Sequence, residues 1–152
     1  MINENLKLSG QLDIVLTGKD GKVKEQRTEK NLVVNTGLAF IASRMSGTAK
    51  AVMSHMALGS SSTAEAASQT DLVSILGSRE VLDSTTITGT NAEKVQYVSS
   101  FEAGDATGAV KEAGIFNAAT TGDMLSRTTF AVVNKAADDT MTVTWTITLS
   151  AT

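Results

Sequence analysis

Glu112 is the residue that most invites chemistry, because its carboxylate interrupts an otherwise small and apolar run, Val110-Lys111-Glu112-Ala113-Gly114-Ile115-Phe116. A carboxylate in such surroundings is paired with a cation, committed to an interface, or turned outward on a strand, which parity alone permits. Arg79 and Arg127 are the candidate cations. His55 is the only histidine, so one chain cannot build a two-histidine zinc site or a facial triad. Beside Met53 and Met56 it reads as a packing or surface residue. Ser60, Ser61 and Ser62 lack both a Gly-x-Ser-x-Gly elbow and a neighbouring base, so they read as a loop.

Three further groups fail the same test. The Gly104 to Gly108 stretch lacks the lysine and hydroxyl of a phosphate loop and the strand-turn-helix context of a dinucleotide fingerprint. Asp105, Asp138 and Asp139 match no calcium-loop spacing, and turn formation explains them equally well. With no cysteine there is neither a disulfide framework nor a thiolate ligand set. No pair of carboxylates stands out for glycoside or peptidoglycan hydrolysis. The expectation is a non-enzymatic protein with no catalytic, cofactor-binding or metal residues and no small-molecule substrate.

Charge narrows the partners. Sixteen acidic against thirteen basic residues give a net charge of −3, and Glu25 and Glu29 break up the Lys22 to Lys30 cluster. Nucleic acid is therefore not an expected partner. The opening Met1-Ile2-Asn3-Glu4-Asn5 lacks the cationic start and apolar run of a secretion signal, and no window is apolar enough to cross a bilayer. A soluble protein made in a cytoplasm is expected. At 41% hydrophobic and 19% charged, residues 1–152 suit one folded domain of ordinary size.

The elements that must carry these residues show themselves by alternation. Met141, Val143, Trp145, Ile147 and Leu149 alternate with threonines from Thr140 to Thr148, and Leu6, Leu8, Leu12, Ile14 and Leu16 alternate with Lys7, Ser9, Gln11 and Asp13. Period two places the apolar groups on one face of each strand. Thr17-Gly18-Lys19-Asp20-Gly21 is hairpin turn chemistry, so a second strand from about Lys22 should return beside the first. It is polar on both faces through Arg27, as an exposed edge strand or a protruding arm would be. Asn35 or Thr36 would cap a helix near residues 36–46, with Leu38, Ile41, Ala42 and Met45 on its apolar face and Ser46-Gly47 as the stop.

Beyond the short apolar segment Val52 to Leu58 lies an alanine-, serine- and threonine-rich stretch. Thr70-Asp71 followed by Leu72, Ile75 and Leu76 fits one or two helical turns or a surface loop. Strands follow at Val81 to Ile87, Lys94 to Phe101, Val110 to Asn117, Met124 to Val133 and the carboxy terminus, separated by Gly, Asn, Asp and Thr turns. About eight strands at this spacing predict an antiparallel β-sandwich. With no proline, one tryptophan and only 4% aromatic residues, the core is small and a homo-oligomeric interface is expected to supplement it.

Several segments in order resemble a family of virion structural proteins of tailed bacteriophages, variously tail-fibre, collar or decoration proteins. They are Asn31-Leu32-Val33-Val34-Asn35-Thr36-Gly37-Leu38, Met56-Ala57-Leu58-Gly59-Ser60-Ser61-Ser62-Thr63, Thr70-Asp71-Leu72, Arg79, Lys111-Glu112-Ala113-Gly114-Ile115-Phe116-Asn117-Ala118, Gly122-Asp123-Met124-Leu125-Ser126-Arg127-Thr128 and Val143-Thr144-Trp145-Thr146-Ile147. Each is weak alone; their order covers nearly the whole chain. The resemblance implies a virion component without catalytic residues, whose partners are capsid, neck or tail proteins. The absence of a fibre repeat, heptads or a collagen-like tract up to Thr152 favours a collar or capsid decoration protein over a complete fibre. A tail-fibre-associated or receptor- or carbohydrate-binding module is the alternative. The Lys22 to Lys30 hairpin and the Ser60 to Thr70 loop are the expected contact regions, as long polar segments that the core does not need.

Overall fold

The computed structural model describes residues 4–151; the opening Met1-Ile2-Asn3 of the segment read above for a secretion signal lies outside the described residues. Among these the chain forms β1 (Leu6–Thr17), β2 (Val23–Lys30), β3 (Leu32–Val33), α1 (Asn35–Arg44), β4 (His55–Gly59), β5 (Glu80–Val81), β6 (Ser84–Thr88), β7 (Lys94–Phe101), β8 (Gly108–Phe116), β9 (Met124–Lys135) and β10 (Thr140–Ala151). They make two antiparallel sheets of five strands, a first in the order β2-β1-β10-β7-β6 and a second in the order β3-β9-β8-β4-β5. The fold is the expected mainly β, sandwich-like one with a single short helix.

The alternating segments pair with each other. β1 lies antiparallel to β10 with Leu12 opposite Trp145, Ile14 opposite Val143 and Leu16 opposite Met141, so both apolar faces point the same way. Tyr97 and Phe101 of β7 continue that inner face, which packs with Met56, Leu58, Val110, Ile115, Leu125 and Val133 of the second sheet. Trp145 is fully buried, and its indole N–H donates to Asn31 Oδ1 at 3.1 Å. Asn31 sits between β2 and β3, and its carboxamide occupies the space a side chain at Gly10 would need. The Asp20-Gly21 turn forms as its chemistry requires, with Gly21 at φ +78° and Lys22 N–H on Asp20 Oδ1. β2 is an edge strand lying along the sandwich, not a protruding arm. Arg27 reaches across to the backbone carbonyls of Ala131 and Val132 on β9.

Two expectations change, and one open choice is decided. The Val81 to Ile87 segment is two strands: Glu80–Val81 pairs with β4 in the second sheet and Ser84–Thr88 with β7 in the first, the chain crossing between sheets at Leu82-Asp83. Together with the two-residue β3, this turns about eight strands into ten among the described residues. Elements of two residues are too short to show a period. The Thr70 to Leu76 segment contains no helix; Ile75 bridges to Gly59 instead.

The helix lies close to its expected place, but its buried face is turned: of the expected apolar positions Ile41 packs against the core, while Leu38, Ala42 and Met45 are exposed. Val34 is its N-cap and has no side-chain acceptor to cap it; Asn35 and Thr36 lie inside the first turn, and the Thr36 hydroxyl donates to the Met124 carbonyl at 2.6 Å. Gly37 and Phe40 are buried, whereas Leu38 and Met45 are 47% and 85% exposed. Close approach of the backbones decides this: a Cβ on Gly37 would overlap the Leu125 carbonyl of β9. We expect Gly37→Ala to cost about 1–3 kcal/mol, as overpacking against an unyielding backbone does. Chemical denaturation measures it, and a neutral result would mean the helix docks elsewhere.

Candidate functional site

Glu112 projects from the face of the second sheet opposite the main core, and both it and Arg127 have no exposed side-chain surface. Hairpin geometry brings them together. Glu112 is opposite Thr129 and Gly114 opposite Arg127, so the two charged residues are diagonal neighbours on one face. Arg127 Nη2 and Nε donate to Glu112 Oε2 at 2.7 and 3.0 Å. Of the two candidate cations, Arg127 is the partner.

The rest of the pair's hydrogen bonding goes to the segment that covers it. Glu112 accepts the backbone N–H groups of Ser74 at 2.7 Å and Val73 at 3.1 Å, with a longer one from Ser61. Arg127 Nη1 donates to the Thr63 carbonyl and to Gln69 Oε1, each at 3.0 Å. Glu65 adds a link to the Thr129 hydroxyl at 2.8 Å and to the Thr129 N–H. Gly59 makes room for the arrangement, since a Cβ there would come within 2.5 Å of both Glu112 Oε1 and the Ser74 carbonyl. Beneath the same cover, Val34, Ala57, Phe116 and Met124 form a second, smaller apolar cluster with Leu72 packed on it. The Ser60 to Thr70 segment, expected as a loop the core does not need, is thus fastened down over a sheet face.

Arg79 fastens the other end. Its guanidinium lies 3.6 Å from the centre of the Phe116 ring and donates to the carbonyls of Ala118 and Thr121 and to Asp71. Asn117 and Asp123 close the β8–β9 turn through Asp123 N–H on Asn117 Oδ1 at 2.7 Å. A buried carboxylate whose oxygens are held by a guanidinium and backbone N–H groups has no lone pair turned toward a substrate. Its chemistry is that of a rivet.

The other sequence candidates are dispersed. His55 Nδ1 meets the Ser54 hydroxyl at 2.8 Å, while Ser60 pairs with Ser74 and Ser61 with Thr63. Gly104 and Gly108 take positive φ at the ends of a turn, where Asp105 accepts Glu102 N–H. Asp139 accepts Lys24 Nζ at 2.8 Å and Ala136 N–H at 2.9 Å. Among the described residues no three His, Asp or Glu side chains converge as a metal ion needs. Sequence reasoning missed Lys135, which is buried at the end of β9 with Nζ on the Glu102 carbonyl at 2.8 Å. Burial pushes its amine below the ordinary 10.5, against the pull of Asp105, Asp139 and Glu102. Nothing in the local pattern marks a strand-end lysine as buried.

Three carboxylates titrate below their ordinary range, Glu93 among them through its own N–H and that of Asn91. Burial raises Glu65, but the Thr129 N–H and hydroxyl, its own N–H and the Arg127 charge outweigh this and leave it below 4.5. Asp139 falls below 3.8 chiefly through Lys24 and the Ala136 N–H. A lowered folded pKa contributes stability above the ordinary value, and that stability is lost as pH falls through the lowered one. Stability in urea should therefore decline as pH drops below 4.5, and less steeply in Glu65→Gln; an unchanged acid slope in that variant would remove Glu65 from the account.

One concave surface stands apart. The outward face of the first sheet curves into an open groove of about 640 Å³ lined by Lys7, Gln11, Lys30, Lys94, Gln96 and neighbouring serine and threonines, with no carboxylate and no aromatic ring among its lining residues. Compared with protein-family models, with curated proteins and with solved structures, the chain matches none.

Proposed function

We propose that the protein is a non-enzymatic structural subunit on the exterior of a tailed-phage virion, a neck collar or capsid decoration protein that packs against capsid, neck or tail proteins. The observation that carries this reading is the sealed Glu112–Arg127 pair, which binds Ser61, Thr63, Gln69, Val73 and Ser74 to a sheet face. The residue best placed by sequence for chemistry is spent on fixing a surface, which is what a packing subunit requires. The motif order resembling virion proteins supplies the context. Asn31, Thr36, Gly37, Gly59, Arg79, Glu112, Asn117 and Arg127, all within those motifs, are among the residues that fasten loop to sheet, helix to sheet or sheet to sheet, alongside Arg27, Glu65 and Gln69 outside them. Such a subunit is assembled in the host cytoplasm and ends in the particle.

The test is incorporation. An epitope-tagged copy supplied during infection should sediment with purified particles at a fixed ratio to the capsid protein. Recovery only in the soluble fraction would refute the reading.

The lysine- and amide-lined groove favours a second reading, a carbohydrate- or receptor-binding module associated with a tail fibre. Its hydroxyls, amides and ammonium groups suit an acidic glycan, although no aromatic platform lines it. Selective retention on a glycan array, abolished by Lys30→Ala with Lys94→Ala, would favour this over the packing role.

A further inference from the structure

The two sheets present four edges, and three of them are blunted. β2 carries Lys24, Glu25, Arg27, Glu29 and Lys30 among its eight residues. β3 and β5 are two residues each. Charge and shortness are both recognised means of preventing edge pairing. β6 has neither. Its five residues, Ser84-Thr85-Thr86-Ile87-Thr88, contain no charge and no proline and are mostly exposed, and it ends the strand order of the first sheet with no strand beyond it among the described residues.

Its side chains are also unmatched. Ile87 is opposite Val95 and Thr85 opposite Tyr97, so both lie on the core side of the sheet. Tyr97 is buried, whereas Ile87 is 67% exposed and nearby Val81 65% exposed. The strand overhangs the sandwich with an uncovered isoleucine on its inner side. Exposed apolar side chains on an uncharged edge rich in β-branched residues form a pairing template.

We propose that β6 is a self-association edge, pairing antiparallel with β6 of a second copy of this chain about a two-fold axis at Thr86. This surface holds whatever the protein's place in a particle. The segment is self-complementary in that register. Thr86 meets Thr86, Ser84 meets Thr88 and Thr85 meets Ile87, so no charge faces a like charge. Threonine and serine pairs line the outer side, and cross-strand pairs of this kind are favourable. On the inner side the two Ile87 side chains become diagonal neighbours across the axis, within reach of each other. Two five-stranded sheets become one of ten strands, and the symmetric contact closes on itself, as an isologous dimer does.

A charge-swap experiment tests both the surface and the register. Sedimentation equilibrium of the wild-type chain should give twice the 15.8 kDa chain mass. Thr86→Lys and Thr86→Glu each set like charges against one another at the axis and should weaken the dimer by on the order of tenfold or more. Mixing the two variants should restore it as a heterodimer, which also shows that both are folded. A wild-type chain that stays monomeric across the accessible concentration range overturns the proposal. So does a dimer that either substitution leaves intact, or one that mixing fails to restore.

Discussion

Arg127→Met should lower stability by about 3–5 kcal/mol, because it leaves Glu112 charged and buried without its partner. For a domain of this size the melting temperature should fall by roughly 6–20 °C. The loss has a location as well as a size. Arg127 holds Thr63 and Gln69 directly, and the carboxylate it orients holds Ser61, Val73 and Ser74. Amide hydrogen exchange between residues 61 and 74 should therefore accelerate at denaturant levels where the β1–β10 pair is still protected. Arg127→Lys should recover only part of the loss, since one ammonium cannot reproduce the two bonds to Glu112 together with those to Thr63 and Gln69. Uniform acceleration over the whole chain, or a loss under about 1 kcal/mol, would mean that the covering segment is held by other contacts.

Trp145→Ala should be comparably severe, at about 3–5 kcal/mol. The indole is fully buried between the two sheets, and a core with few other aromatics has little material to refill the space. Trp145→Phe separates packing from hydrogen bonding. It keeps most of the ring but leaves Asn31 Oδ1 without its donor, at a cost of about 1–3 kcal/mol. Asn31 Nδ2 already lacks a partner among the described residues, so that variant leaves both ends of the carboxamide without a protein partner. If Trp145→Phe proved as damaging as Trp145→Ala, the link to Asn31, rather than ring volume, would join the sheets at this point.

The contrast between what the sequence made legible and what it hid follows range of interaction. β1 and β10 alternate over many residues because one face of each is buried, and their pairing needs no knowledge of the rest of the chain. The Asp20-Gly21 turn is equally local. The helix was visible but its orientation was not, because that depends on Gly37 meeting a carbonyl of β9 far along the sequence. The split of residues 81–87 between sheets was hidden because Thr85, Thr86 and Ile87 suit a strand in either place.

Glu112 was conspicuous as a charge in an apolar strand, but the choice of Arg127 over Arg79 as its partner was not legible. A regular hairpin turning at residues 117–123 would set residue 112 opposite 128; the register shift between Ile115 and Phe116 moves it opposite Thr129, which makes Arg127 its diagonal neighbour. What no local pattern disclosed is that serines, threonines and alanines around residues 60–74 would be drawn over that pair. Their polarity reads as solvent exposure, yet it is their backbone groups that complete the buried site.

The proposed virion role is tested most directly by comparing particles with and without the protein by cryo-electron microscopy at matched resolution. A deletion phage should lack discrete exterior density at the neck or on the capsid, into which this two-sheet fold fits. Restoring the wild-type chain should restore that density. Particles with identical density at head, neck and tail in both preparations would contradict the role.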